Sequence, residues 1–241
     1  MATALVQRIP VIPVREARYV PTICDGNVPL QGPDQRLHVD LHAARGGNRI
    51  SKIEWRIHAA PLGTYEKHLV TGHPGSGKST ELYRLAENLQ VSTDSRHFHV
   101  VFFDAKQRLD PSDIQLPDLL IALFSVLWQD ELLQVPRMTA AARLGKEMLG
   151  WARALGLDVA SDLVKGIPVL GALFKNAELQ RRFREKSWEY TARVLEEMGE
   201  LLQEIRDGLV RRDEADDLVI IIDNLDKMLV KDLGGGRTNL D

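Results

Sequence analysis

Residues 68–80 read HLVTGHPGSGKST, and this stretch decides the expected fold. Its first four residues form a short, largely apolar run that is typical of a buried strand. From Gly72 onward the spacing is G-x-x-x-x-G-K-[ST], and residues 76–90 follow with apolar side chains at helical intervals. The stretch therefore predicts a strand, a glycine-rich turn and an amphipathic helix in direct succession.

The glycine-rich turn contains the residue types that bind phosphate groups. Glycines let backbone N–H groups approach phosphate oxygens, and the helix that follows presents the positive end of its dipole. In this motif Lys78 reaches the β- and γ-phosphates of a nucleotide, and Ser79 gives its hydroxyl to Mg²⁺. We assign nucleotide contacts to the whole turn, which comprises Gly72, His73, Pro74, Gly75, Ser76, Gly77, Lys78, Ser79 and Thr80.

Two further apolar runs predict strands of the same sheet. Residues 98–103 end at Asp104, and residues 218–222 end at Asp223. Near-continuous apolar strands separated by helical segments are typical of a parallel sheet covered on both faces, so we predict an α/β fold. Asp223 is a candidate ligand of Mg²⁺, and Asp226 is a candidate catalytic base for an attacking water. Each acid also fits a structural role as a cap of the next turn or helix.

The patterns along the chain predict four segments. Residues 1–66 are an irregular lead-in rich in Pro and Gly, and residues 67–134 form the first part of the core. Residues 135–212 form a helical insert, and residues 213–241 contain the second acidic strand end. The insert ends in an apolar stripe of Trp188, Ala192, Leu195, Met198, Leu202, Ile205 and Leu209. We favour packing of this stripe on its own domain over a partner or self-association arm.

Together these residues resemble the bacterial P-loop ATPases of the STAND and AAA-like groups. The resemblance is carried by GHPGSGKSTELYRLAENL, HVVFFDA and LVIIIDNLDKM. The D-x-x-D pattern of Asp223 and Asp226 is similar to the NACHT version of the Walker B motif, although Lys227 stands where another acid is usual. The resemblance implies ATP and Mg²⁺ binding and slow hydrolysis, as a nucleotide-driven switch in signalling or defence.

The same resemblance implies an incomplete parallel sheet. ATPases of this class have two further strands after the Walker B strand, one on each side of the phosphate-loop strand, whereas only residues 224–241 follow Asp223 here. We therefore expect a fragment of a longer protein, a gene remnant or a shortened chain. The strand at residues 68–71 should then lack a neighbour on at least one side. A free edge favours self-association or a protein partner.

Two other functions fit the same motifs. In a P-loop kinase for a small metabolite, Arg181, Arg182 and Arg184 would supply a lid, and the Asp223 strand would lie directly beside the phosphate-loop strand. In the ATPase class, a further strand lies between those two. A nucleotide-gated interaction module, in contrast, would bind without turnover. No N-K-x-D stretch is present, so adenine is favoured over guanine as the base.

Composition excludes several other classes of protein. The 241 residues are 44% hydrophobic and 27% charged, as in ordinary globular domains. A net charge of −3 gives no indication of a nucleic-acid or membrane binder. Because Cys24 is the only cysteine and no signal peptide or membrane-spanning run is found, we expect a cytoplasmic protein. The pairs His38 and His42, and His97 and His99, have no third ligand and predict no metal site.

Overall fold

The computed structural model describes residues 29–30, 38, 47–91, 96–109, 114–129, 139–154, 191–227, 232–234 and 237–238. The chain divides into two compact units, Met1–Arg96 and His97–Asp241. We call the first the loop unit, because it contains the glycine-rich turn. The second is the sheet unit, because it contains both apolar strands that end in aspartate.

Two helices frame the glycine-rich turn of the loop unit. Helix α1 is Arg49–Ala59, and it begins where the Asn48 side chain accepts a hydrogen bond of 2.8 Å from the backbone N of Ser51. Helix α2 is Lys78–Val91 and packs against α1. The apolar face of α2 consists of the buried residues Leu82, Leu85, Ala86 and Leu89. Helix α2 lies where the sequence periodicity predicts it, whereas α1 lies within the lead-in that the sequence analysis described as irregular.

The run before the glycine-rich turn differs from its prediction. Residues 64–73 lie outside any strand, and Leu69 is 88% exposed. A short apolar run becomes a strand only when a neighbouring strand pairs with its N–H and C=O groups, and in the described chain the parallel sheet has only two strands, both in the sheet unit. The strand prediction for residues 68–71 is therefore wrong, and the sheet order that would separate an ATPase from a kinase stays a prediction.

The sheet unit is built on a parallel pair of strands. Strand β1 is Phe98–Asp104 and strand β2 is Asp217–Asp223. They run in register along their full length, from Phe98 opposite Asp217 to Asp104 opposite Asp223. Both strands were predicted from continuous apolar runs, and the α/β class is confirmed. The carboxyl ends of both strands therefore place an aspartate at the same edge.

Helices cover this sheet and supply most of its core. They are α3, Ala105–Arg108; α4, Leu116–Gln129; α5, Thr139–Ala154; and α6, Thr191–Arg212. Helix α6 packs against α4, α5 and β2. The largest fully buried side chains of the unit include Phe103, Phe124, Leu127, Leu144, Met148, Leu201 and Ile205. The last helix of the predicted insert thus packs within its own unit.

The buried face of α6 differs in part from the predicted apolar stripe. It consists of Val194, Met198, Leu201, Ile205 and Leu209. The predicted stripe placed Ala192 and Leu195 on this face, but both are exposed, Leu195 by 44%. The reason is that an apolar stripe with steps of three and four residues can begin at Val194 as well as at Leu195. The apolar pattern alone did not choose between the two.

Charged residues border the contact between α5 and α6. Arg143 Nε lies 3.3 Å from a carboxylate oxygen of Glu197, and another of its nitrogens lies 2.5 Å from Glu200. Arg193 pairs with Glu147 at 2.5 Å and with Glu197 at 3.1 Å. The hydrogen bond to Glu200, and then the charge of Glu197, raise the pKa of the Arg143 guanidinium. Partly exposed ion pairs contribute little to the free energy of unfolding. The main effect of these pairs is therefore on the alignment of the two helices.

Two short elements follow β2. A 3-10 helix spans Leu225–Lys227 and carries Asp226. Further on, strands β3, Asp232–Gly234, and β4, Arg237–Thr238, pair antiparallel. The sequence analysis did not anticipate this small second sheet. It shares no strand with the parallel sheet in the described part of the chain.

Several predicted features lie outside the described residues. They are Cys24, His42, Arg181, Arg182, Arg184 and Trp188. The division into four segments likewise stays a prediction. Of the helices that the structure describes, none combines the length and the apolar character needed to span a bilayer.

Candidate functional site

The glycine-rich turn has the backbone that its sequence requires. Gly75 has φ +74° and Gly77 has φ +84°, both in the left-handed region that glycine adopts without a steric penalty. Inside the turn, Ser76 N donates to His73 O at 3.1 Å. The first intrahelical bond of α2 then runs from Glu81 N to Gly77 O at 3.0 Å. The turn therefore leads directly into the N-terminus of a helix, where backbone N–H groups point towards the turn.

Gly72 and Lys78 close the base of this turn. A Cβ at position 72 would lie 3.0 Å from Ser76 Oγ and 3.7 Å from the Lys78 side chain, so glycine permits the close approach. Lys78 Nζ donates to the carbonyl oxygens of Gly72, at 2.9 Å, and of His73, at 3.2 Å. The ammonium group thus lies across the start of the turn. The exposed residues 71–75 leave that face open to solvent.

The first turn of α2 also contacts the lead-in segment. Thr80 Oγ1 accepts a hydrogen bond of 3.2 Å from Leu30 N. Glu81, although buried, pairs with His38 at 3.0 Å and with Arg84 at 3.2 Å. The Thr80 hydroxyl, predicted to contact the nucleotide, is therefore engaged within the protein. His38 contacts a carboxylate, and the sequence analysis missed this group because the interacting residues are far apart along the chain.

In the sheet unit, Asp223 lies at the carboxyl edge of the parallel strands. It is only 5% exposed, and its carboxylate accepts no hydrogen bond from the residues that the structure describes. Asp226 lies on the 3-10 helix just beyond and is exposed. The structure therefore places both predicted acids at one end of the sheet.

Asp104, opposite Asp223 in the strand register, has a contrasting environment. Its carboxylate accepts hydrogen bonds from Asn224 Nδ2 at 2.8 Å, Gln107 Nε2 at 2.8 Å and Lys106 N at 3.1 Å. Sequence reasoning assigned no role to Asp104 or Asn224. The signal was present, since the carboxyl ends of parallel strands meet at one edge and Asp104 ends β1 as Asp223 ends β2.

The donor set fits magnesium better than a transition metal. In the described ranges, no group of three or more His, Cys, Asp or Glu side chains is arranged to hold a metal ion. Mg²⁺ needs no such group, because it binds through one or two carboxylates together with phosphate oxygens and water. The buried carboxylate of Asp223 meets that requirement within the sheet unit. In the loop unit, the half-buried Ser79 supplies the hydroxyl of the phosphate-loop motif.

Comparison of the chain with protein-family models, with curated proteins and with solved structures yields no match. The resemblance to P-loop ATPases therefore rests on the motif residues, and it stays a prediction.

Proposed function

We propose that the chain is a P-loop ATPase of the STAND or AAA-like kind that binds ATP with Mg²⁺ and hydrolyses it slowly as a switch. The observation that carries the proposal is the glycine-rich turn at the start of α2. Gly75 and Gly77 adopt left-handed backbone there, and the Lys78 ammonium lies at the base of the turn. This arrangement suits a triphosphate, because backbone N–H groups, a helix N-terminus and a lysine are the groups that together bind such an anion.

The proposed reaction is in-line attack of water on the γ-phosphorus. In the loop unit, Lys78 and the backbone N–H groups of the turn would bind the β- and γ-phosphates, and Ser79 would supply its hydroxyl to Mg²⁺. In the sheet unit, Asp223 would supply a carboxylate for Mg²⁺. The metal, when bound, reduces the negative charge that the attacking water must approach. Asp226 accepts a proton from the water as the new P–O bond forms. The bond between the γ-phosphorus and the bridging oxygen breaks, and ADP leaves.

Equilibrium binding of ATP–Mg²⁺ to the full chain tests the proposal. We expect Lys78→Ala to weaken binding by roughly 100-fold or more, because two charge-assisted contacts of about 1.5 kcal/mol each are lost. Lys67→Ala is the matched control, since Lys67 is an exposed lysine that lies before the turn. Unchanged ATP affinity in Lys78→Ala, with the fold verified by circular dichroism, would remove the central assignment.

A second measurement separates hydrolysis from the alternatives. Single-turnover release of phosphate from bound ATP, with and without added small-molecule acceptors, distinguishes three outcomes. Release without an acceptor supports the ATPase, and transfer only to an acceptor indicates the kinase. Tight binding with neither reaction indicates a nucleotide-gated interaction module.

A further inference from the structure

Asp104 joins three elements at the carboxyl edge of the sheet. Its Oδ1 accepts from Asn224 Nδ2 at 2.8 Å and from Lys106 N, in α3, at 3.1 Å. Its Oδ2 accepts from Gln107 Nε2, also in α3, at 2.8 Å. Because one carboxylate holds the end of β1, the start of α3 and the turn after β2, its position determines how that turn lies.

The turn that Asp104 holds begins with an unusual backbone conformation. Asn224 has φ +64°, a value that asparagine tolerates better than most residues with a Cβ. The 3-10 helix Leu225–Lys227 starts at the next residue and packs against α3. Asp223, immediately before the turn, is fixed in the strand ladder opposite Asp104. A rotation at Asn224 would therefore move Asp226 while leaving Asp223 in place.

We propose that Asp104 is a positioning residue, which sets the rate of phosphate release by holding the turn at residues 224–227, and with it Asp226, in one orientation. The inference rests on the proposed function and extends it to a residue that does not touch the substrate. A general base acts only within hydrogen-bond reach of the attacking water, and a misplacement of about 1 Å lowers a rate by about 100-fold. Nucleotide affinity is assigned to the glycine-rich turn and does not depend on this contact.

Two variants remove the contact from opposite sides. Asn224→Gly keeps the left-handed backbone without strain but loses the amide donor, and Asp104→Ala loses the acceptor. We expect each to lower the single-turnover rate by about 10-fold or more, with ATP affinity changed by less than about 3-fold. Both variants remove the bond between Asp104 and Asn224, and Asp104→Ala also removes the bonds from Lys106 N and Gln107 Nε2. The double variant is therefore expected to be no slower than Asp104→Ala.

Two controls separate this hydrogen bond from a general effect on the fold. In Asp104→Asn the amide oxygen still accepts from Asn224 and from Lys106 N, so the rate is expected to return close to that of the wild-type chain. Gln107→Ala removes only the bond to Oδ2 and is expected to leave the rate unchanged. A loss in Asp104→Asn as large as that in Asp104→Ala would overturn the proposal, because charge rather than the hydrogen bond would then be acting.

Amide hydrogen exchange of residues 225–227, measured without nucleotide, distinguishes failure of this inference from failure of the proposed function. Faster exchange in Asn224→Gly supports the proposal that the hydrogen bond between Asp104 and Asn224 fixes the turn. If the wild-type chain then releases no phosphate, the proposed hydrolysis is overturned, and the rate-setting role of Asp104 is overturned with it. If the wild-type chain hydrolyses ATP but Asn224→Gly matches it in rate and in exchange, the positioning role alone is overturned.

Discussion

Among the residues that the structure describes, the loop unit exposes more of its large apolar side chains than the sheet unit does. The difference is one of degree, because α2 buries Leu82, Leu85 and Leu89, and the sheet unit exposes Leu195, Val210 and Leu225. The loop unit exposes large apolar side chains, namely Trp55, Leu62, Tyr65, Leu69 and Val91. The sheet unit buries Phe103, Phe124 and Ile205 completely within one continuous apolar cluster. The two candidate sites are therefore held differently. Backbone conformation shapes the glycine-rich turn, whereas packing of whole strands and helices fixes the acidic edge.

The largest expected effect is on the free energy of unfolding, and it compares a buried apolar side chain of the sheet unit with an exposed one of the loop unit. Phe103→Ala removes a fully buried ring from β1, so we expect the free energy of unfolding to fall by about 3–5 kcal/mol. The matched change in the loop unit is Leu69→Ala, at a side chain that is 88% exposed. It is expected to alter stability by less than about 0.5 kcal/mol. Denaturant titration of the full chain measures both, and losses of similar size would contradict the contrast.

The fold of the sheet unit was largely predictable from sequence. Continuous apolar runs located β1 and β2, because that pattern is local. In the loop unit, helical periodicity located α2 for the same reason. Residues 68–71 show the limit of this reasoning. Their composition is that of a strand, but a strand also needs a partner for its backbone groups. Apolar composition alone does not reveal whether that partner exists.

The candidate site was predictable to a different degree in each unit. The motif places glycine at positions 75 and 77, and glycine adopts a positive φ without a steric penalty. Both residues have a positive φ in the structure. The contact between Asp104 and Asn224 joins residues 120 positions apart. It depends on strand register and on one left-handed residue, which no local pattern encodes.

The next prediction concerns the acidic edge and the Mg²⁺ proposed to bind there. Asp223→Asn removes the charge proposed to hold Mg²⁺, so we expect ATP binding in the presence of Mg²⁺ to weaken by about 10-fold, or about 1.4 kcal/mol. In EDTA, affinity is expected to be close to that of the wild-type chain, because the turn alone then binds the phosphates. Asp213→Asn is the matched control. Asp213 is exposed, and asparagine tolerates its φ of +56°.

Equal weakening of ATP binding by Asp223→Asn in Mg²⁺ and in EDTA would contradict the metal role. It would indicate that Asp223 acts through the structure of the strand end instead. The same pair of conditions applied to Lys78→Ala provides the comparison between the units. That variant is expected to bind poorly in both, because the proposed contact of Lys78 with phosphate does not depend on the metal.

The smallest expected effect contrasts one substitution at two glycines. Gly75 has φ +74°, and a Cβ there would meet nothing within 4 Å, so crowding does not contribute to the cost of Gly75→Ala. Only the left-handed backbone penalises alanine, and we expect stability to fall by about 1 kcal/mol. Thermal and denaturant unfolding of the full chain measure the change.

Gly150, on the exposed side of α5, gives the opposite expectation for the same change. A Cβ there also meets nothing within 4 Å, but the backbone is helical, so Gly150→Ala should raise stability by about 1 kcal/mol. Because an added Cβ meets no atom at either site, the opposite signs of the two stability changes would come from backbone conformation alone. A stabilising effect at both positions would mean that the turn does not keep its left-handed backbone in solution. The cradle proposed for the triphosphate would then lose its physical basis.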